Sequence, residues 1–170
     1  SFSDAHELRE IPIIAANLQQ LVLPRQCQVW AVLRAADSDQ RLCYSLAACF
    51  LGRMCLSGEI DRLSGSQTAL VSRAIELYRQ AAPVIRGGVS QRLGPVGESW
   101  RHPTGWQAVV RKLAGNALAV VHAFAGASHK VALPMEGWRV VEQFGVPSGA
   151  GLEFELAPFS AAVMLLERSR

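Results

Sequence analysis

Asp4 has the sequence context that best suits proton transfer in this chain. It follows Ser3 at the end of a predicted strand, where a carboxylate can lie over the mouth of a barrel and burial can tune its pKa. Asp4 and Glu7 also have the spacing of a capping box, so the same carboxylate can instead accept backbone N–H groups at the start of a helix. The residues alone leave both interpretations open.

Two further pairs of acids follow predicted strands. Asp37 and Asp39 come after the second strand, and Glu59 and Asp61 come after the third. The carboxyl ends of parallel strands form the ligand-binding face of barrels and open α/β sheets, so these acids would share an edge with Asp4. Each of them can equally be a helix cap or a solvated loop charge.

Other site chemistries lack a motif in this chain. The histidines share no metal-ligand spacing, and no serine lies in a Gly-x-Ser-x-Gly elbow. The Gly-Gly pair at residues 87–88 and the Gly-Pro pair at residues 94–95 are interpreted as linker residues rather than as a phosphate loop. We therefore expect neither a metal nor a cofactor. The histidines are His6, His102, His122 and His129.

The tryptophans offer apolar ring faces that suit the C–H face of a pyranose. Trp106 and Trp138 begin predicted strands, where core packing is the simpler role. Trp30 lies near the carboxyl end of a predicted barrel strand, and we take it as a candidate substrate-binding residue. The remaining tryptophan is Trp100.

The amino-acid composition limits the classes of protein to which this chain can belong. The 170 residues are 50% hydrophobic and 18% charged with a net charge of +3, which is typical of a globular chain with a core. No apolar run approaches the ~18 residues of a membrane-spanning helix, and no basic block would follow a phosphate backbone. Neither a membrane nor a nucleic acid is expected as a partner.

The cysteines indicate a reducing compartment. They show no CxxC spacing, and three lie in apolar stretches where a free thiol behaves as a small hydrophobe. We therefore expect reduced core residues and, with no basic-then-apolar leader, a cytoplasmic location. Because the chain begins at Ser1, we expect it to be part of something longer. The cysteines are Cys27, Cys43, Cys49 and Cys55.

Residues 1–86 show the rhythm of three strand–helix units, which is typical of a parallel α/β layer. The predicted strands are residues 2–4, 27–33 and 54–56. The first helix carries apolar residues to Leu21 and Val22 before Pro24 stops it, and the second ends at Gly52. The third begins with a capping box at Ser64 and continues to about Pro83.

Residues 87–170 predict a compact antiparallel β-sandwich of short strands. A hairpin is predicted around residues 114–117, with Gly115-Asn116 at its centre. The predicted strands are residues 106–113, 118–124, 129–133, 138–144, 152–156 and 161–167.

Several stretches resemble the C-terminal part of bacterial α-galactosidase-like glycoside hydrolases of the melibiase type, families 27 and 36. They are Ser3-Asp4, residues 23–34 (LPRQCQVWAVLR), residues 50–60 (FLGRMCLSGEI) and residues 101–107 (RHPTGWQ). The resemblance implies the last three βα units of a (β/α)8 barrel in residues 1–86, with strands 6 to 8, and an antiparallel β-sandwich domain in residues 87–170.

The resemblance also implies chemistry. Retaining hydrolysis of α-galactosides in this family uses an aspartate nucleophile in a Lys-Trp-Asp-type motif and an acid/base aspartate in a Ser-Asp motif, and Asp4 matches the second. No Lys-Trp-Asp occurs here, so the nucleophile is expected upstream. Ala5-His6-Glu7 follows Ser3-Asp4, where the family often has Asn or Thr after the pair.

Two functions of different class follow. The first is a fragment of a retaining glycosidase that carries the acid/base Asp4 and lacks the nucleophile, with an α-galactoside or related glycan and the missing N-terminal part of the parent chain as partners. The second is a noncatalytic carbohydrate-binding or interaction module, in which Asp4 caps a helix. Three parallel strands would leave an unpaired edge, so dependence on another chain is expected and a homo-oligomer stays open.

Overall fold

The chain changes character at Gly87, where helices and parallel strands give way to antiparallel strands. A computed structural model describes residues 9–96, 101–146 and 151–169. The first elements are α1 (Ile11–Leu18), β1 (Gln28–Leu33), α2 (Asp39–Cys49), β2 (Arg53–Gly58) and α3 (Gly65–Gly87). The later strands are β3 (Val89–Leu93), β4 (Trp106–Leu113), β5 (Asn116–Ala123), β6 (His129–Ala132), β7 (Trp138–Phe144), β8 (Glu153–Leu156) and β9 (Ala161–Arg168).

β1 and β2 form a parallel pair with α2 as the crossover between them, which confirms the predicted parallel connection. Gln28 pairs with Arg53 at one end and Leu33 with Gly58 at the other. One face of β1 is fully buried in the helical core, because alternate residues of a strand point to opposite sides. β2 is only half-buried along its length, so its prediction as a buried strand was wrong. The predicted first strand, residues 2–4, lies outside the described residues.

Serine side chains cap two of the helices, and the capping box predicted at Ser64 is present. Ser38 caps α2 by accepting a hydrogen bond from the Arg41 N–H, and Ser64 and Gln67 form the complete capping box of α3. The helix ends differ from the prediction. α1 ends at Leu18 and leaves Leu21 82% exposed, whereas α3 continues through Pro83 to Gly87.

A five-stranded antiparallel sheet in the order β3-β4-β5-β9-β7 forms the centre of the molecule. β3 was not predicted: the glycines on either side of it were interpreted as linker punctuation. Gly88 instead makes the tight passage from α3 into β3, since a Cβ there would lie 2.6 Å from the Val84 carbonyl oxygen. The β4–β5 hairpin turns at Ala114-Gly115, one residue earlier than predicted, because Leu113 pairs with Asn116.

Two apolar clusters lie on opposite faces of this sheet. On one face the second sheet, β6 with β8, packs against small side chains such as Ala119 and Ala162, which gives the sandwich-like arrangement. On the other face α2 and α3 pack against alternate residues of the same strands, such as Leu118 and Val120. This second cluster contains residues from both sides of Gly87. The fold is thus mixed α and β with antiparallel sheets, and the division at residues 86 and 87 stays a prediction.

Three buried polar side chains join the helices to the five-stranded sheet. The guanidinium of Arg111 donates to the carbonyl oxygens of Ile85 and Leu51 and to Ser90 Oγ. Gln107 Nε2 donates to the Pro12 carbonyl oxygen at 3.1 Å. Since the third, His122, contacts α2, all three helices are fastened to β4 or β5 by hydrogen bonds to the backbone.

All four cysteines are free thiols. Cys27 and Cys49 are core residues as predicted, and burial raises the pKa of Cys49 to about 12. Cys43 and Cys55 are only half-buried, so they lie at the margin of the core rather than within it. None of the described helices combines the length and apolar character that crossing a membrane requires.

Candidate functional site

The carboxyl end of β1 is organised by Asp37. One carboxylate oxygen accepts a hydrogen bond from the Arg34 N–H at 3.0 Å, and the other pairs with Arg41 Nε at 3.0 Å. The Asp37 side chain is only 7% exposed. It therefore fixes the turn between β1 and α2, a structural role that differs from both the helix cap and the solvated loop charge expected from the sequence.

The carboxyl end of β2 is joined to the same turn by Glu59. Its Oε2 accepts from the Ala35 N–H at 3.2 Å, while Oε1 lies 3.7 Å from Arg62 Nη1. Gly58 just before it has φ +98 and approaches Leu33 so closely that a Cβ would lie 2.1 Å from the Leu33 carbonyl oxygen. Two strand ends are thereby brought into contact, with acidic side chains from both at one edge.

Gln67 at the start of α3 completes this polar edge. Its Nε2 donates to the carbonyl oxygens of Ala35 and Asp37, at 3.1 and 2.9 Å, and its Oε1 accepts from the Ser64 N–H. The loops after β1 and β2 and the first turn of α3 are therefore held as one unit. Asp39 and Asp61 lie in the same region with exposed side chains.

Asp4 lies outside the described residues, but the segment that begins at Arg9 is anchored by two side chains. Tyr44 Oη on α2 donates to the Arg9 carbonyl oxygen at 3.0 Å. Gln107 on β4 holds Pro12 in the first turn of α1. Arg9, five positions after Asp4, is thus held by α2, and the first turn of α1 is held by the five-stranded sheet.

A cavity of about 340 Å³ opens beside Arg9, between the start of α2 and the loop before β9. The Arg9 guanidinium lies 4.8 Å from the ring centroid of Phe159, and Gln40 Nε2 donates to the Pro158 carbonyl oxygen at 2.8 Å. Phe159 has φ 54, a left-handed conformation that is strained for a bulky residue. No local sequence pattern marks this cavity, because its walls come from three distant segments.

Trp30 is the third residue of β1 and is half-buried. It pairs in register with Cys55, and both lie on the face of the β1/β2 sheet that points away from α2. We call this the open face and define it by Trp30, Val32 and Cys55, which are all half-buried. Trp30 is not among the residues lining the cavity beside Arg9, and its role as a substrate-binding residue stays a prediction.

Comparison with known proteins shows which solved structures have a similar fold. No protein-family model and no curated protein matches the sequence. Among solved structures, the chain is similar to the galactosidase domain of the α-galactosidase-sucrose kinase AgaSK, with 16% identity and a TM-score of 0.66 over 96% of this chain and 25% of that one. It is also similar to the family GH36 α-galactosidase AgaA from Geobacillus stearothermophilus, with 14% identity and a TM-score of 0.58 over 84% of this chain and 21% of that one.

These likenesses show the fold. The fold of this chain is similar to that of part of these two α-galactosidases, which confirms the resemblance at the level of architecture. The chain spans about a quarter of the length of the AgaSK galactosidase domain and about a fifth of AgaA.

Proposed function

We propose that this chain is the C-terminal part of a retaining α-galactosidase-like glycoside hydrolase. Residues 1–86 contribute the last three βα units of an eightfold barrel, and residues 87–170 form its antiparallel β-sandwich domain. The observation that carries the proposal is the order of elements. A parallel β1–α2–β2 unit continues through α3 into an antiparallel sheet, in a fold similar to two α-galactosidases.

The open face supports a larger barrel around this chain. Within the described residues β1 and β2 pair only with each other, so each keeps an unpaired edge. In a closed barrel one face of every strand meets the surrounding helices and the other faces the interior. Val29, Ala31 and Leu33 already meet the helical layer, so Trp30 and Cys55 correspond to interior positions.

In this proposal Asp4 is the acid/base residue. It protonates the glycosidic oxygen as the bond to the anomeric carbon breaks, and it then removes a proton from the water that releases the sugar. The nucleophilic carboxylate comes from the part of the parent chain that precedes these residues. The 170-residue chain alone therefore binds at most part of a substrate and has no hydrolytic activity.

The test uses the full-length parent with a panel of aryl α-glycosides. We expect turnover of an α-galactoside, and we expect Asp4→Ala to lower kcat/KM for a natural α-galactoside by on the order of 100-fold. The loss should be smaller for an aryl galactoside whose leaving group needs little protonation. Asp61→Ala, at an exposed acid that follows β2, is the matched control. Unchanged hydrolysis of both substrates by Asp4→Ala would remove the assignment.

A carbohydrate-binding module is the second candidate, and the half-buried ring of Trp30 is the observation that favours it. An aromatic ring that is not enclosed in the core is available to stack on a sugar. Glycan binding by the full-length parent that Trp30→Ala abolishes, with no turnover of any α-glycoside, would establish the module and reject the hydrolase.

A further inference from the structure

The amino ends of β1 and β2 carry a second cavity, of about 290 Å³, on the side opposite the acidic edge. Three arginines line it. Arg25 comes from the 3-10 turn before β1, Arg53 is the first residue of β2, and Arg86 lies in the last turn of α3. Tyr78 and Met54 contribute to its wall. Nothing in the proposed hydrolase mechanism uses this cavity.

The backbone around the cavity is held by short contacts. The Arg53 N–H donates to the Cys27 carbonyl oxygen at 2.7 Å, which joins the start of β2 to the segment that carries Arg25. Gly52 allows this approach, because a Cβ there would lie 2.4 Å from the same oxygen. Tyr78 Oη donates to the Gly52 carbonyl oxygen and accepts from the Met54 N–H, so α3 is fastened to the same point.

The charged residues that line the cavity are all positive. Among the described residues, no carboxylate lines it and none forms an ion pair with Arg25, Arg53 or Arg86. The acids of the parallel layer lie at the other ends of the strands, at Asp37 and Glu59. All three arginines are exposed, so solvent screens their mutual repulsion, and together they give the cavity a positive charge that attracts an anion.

We propose that this cavity binds a phosphate group, either as inorganic phosphate or as the phosphate monoester of a small sugar. Guanidinium groups present planar N–H forks that match phosphate oxygens, and three of them can neutralise a dianion. The volume of about 290 Å³ exceeds the needs of a single phosphate and leaves room for an attached small molecule. The hydrophobic wall at Met54 and Ile85 would contact that attached group.

The proposal is independent of the hydrolase assignment and has its own test. The protein is titrated by isothermal calorimetry with sodium phosphate, with glucose 6-phosphate, and with sodium chloride at matched ionic strength. We expect both phosphates to bind and chloride to give no signal. Tighter binding of the ester identifies a phosphorylated sugar as the ligand, and equal binding identifies the phosphate group alone.

Variants locate the binding. Arg53→Gln and Arg86→Gln should each weaken phosphate binding roughly tenfold, because each removes one charge-assisted contact. Arg79→Gln, at an exposed arginine on α3 outside the cavity, should bind as the wild type does. Arg53→Lys keeps the positive charge but lacks the planar guanidinium, so it should lose less phosphate affinity than Arg53→Gln. It replaces Arg53→Gln in the test if that variant does not fold. Absence of phosphate binding at low ionic strength, or equal binding by all variants, would overturn the proposal.

Discussion

His122 lies directly opposite Gln107 in the antiparallel register of β4 and β5, and both side chains are fully buried against the helical layer. His122 Nε2 is 3.2 Å from the Tyr44 carbonyl oxygen. A carbonyl only accepts, so Nε2 carries the proton and Nδ1 is the unprotonated nitrogen. Burial lowers the pKa of His122 to about 3, and the hydrogen bond to Tyr44 offsets only part of this effect.

The lowered pKa predicts how stability depends on pH. In the unfolded chain the imidazole titrates near 6.5, whereas in the folded protein it titrates near 3, so between these values the unfolded state binds more protons. The free energy of unfolding should therefore fall as the pH drops below about 6.5, with this group contributing up to roughly 1.4 kcal/mol for each pH unit. Urea unfolding at about pH 7 and about pH 5 measures the effect.

His122→Gln isolates this contribution, since the amide can donate to the Tyr44 carbonyl oxygen without titrating. The variant should lose less stability between the two pH values than the wild type, even if it is less stable at both. His129→Gln, at a half-buried histidine on β6, is the matched control. An identical pH dependence in the wild type and His122→Gln would contradict the buried neutral imidazole.

Arg111 is predicted to be the most costly polar residue to replace. Its guanidinium is 1% exposed and donates to carbonyls near the ends of α2 and α3, where the helix dipoles favour a positive charge. Burial lowers its pKa to about 10, so it remains charged at neutral pH. Arg111→Met should reduce the free energy of unfolding by about 2–4 kcal/mol, because it leaves buried carbonyls without a donor.

Denaturant unfolding of Arg111→Met and of a second variant, Arg139→Met, checks this expectation. Arg139 forms a 2.6 Å ion pair with Glu167, but both side chains are largely exposed. Arg139→Met should therefore cost less than about 1 kcal/mol. Equal losses in the two variants would show that burial of Arg111 does not decide its contribution.

How far the sequence predicts this fold depends on the local signal of each element. The strands at Trp106–Leu113 and Trp138–Phe144 have the predicted bounds, because β-branched residues between turn residues mark them. β3 was missed because its sequence is polar and nearly all of it is exposed at the sheet edge. α3 passes Pro83 since Val84 and Ile85 are buried in the core, and this packing outweighs the lost backbone hydrogen bond.

The candidate site was predictable only where it is local. Strand ends and capping residues placed Asp37 and Glu59 at one edge, which the β1/β2 register bears out. The cavity beside Arg9 was not predictable, because Gln40 meets Pro158 across 118 positions of the chain. The left-handed backbone at Phe159 was not predictable either, because the residue at that position is not a glycine.

Two glycines that differ in their surroundings should respond to alanine with opposite sign. At Gly58 the positive φ and the Leu33 backbone exclude a Cβ, so Gly58→Ala should cost on the order of 2–4 kcal/mol and disturb the junction of β1 with β2. At Gly65, the first residue of α3, nothing lies within 4 Å of an added Cβ. Gly65→Ala should be neutral or stabilise by up to about 1 kcal/mol. Thermal unfolding followed by circular dichroism compares the two, and a tolerated Gly58→Ala would contradict the close approach of the strand ends.

The open face makes a prediction about thiol labelling that separates a fragment from a complete domain. Cys55 is half-buried and stands beside Trp30 on that face, whereas Cys49 is fully enclosed and its pKa is raised to about 12. In the 170-residue chain a small alkylating reagent should modify Cys55 faster than Cys49, because only the first thiol is accessible. In the full-length parent the remaining barrel strands would cover Cys55, and its modification should slow to the rate of Cys49. Mass spectrometry of tryptic peptides gives both rates. If Cys55 reacts equally fast in the two chains, the open face is not a barrel interior, and the three-unit barrel assignment fails with it.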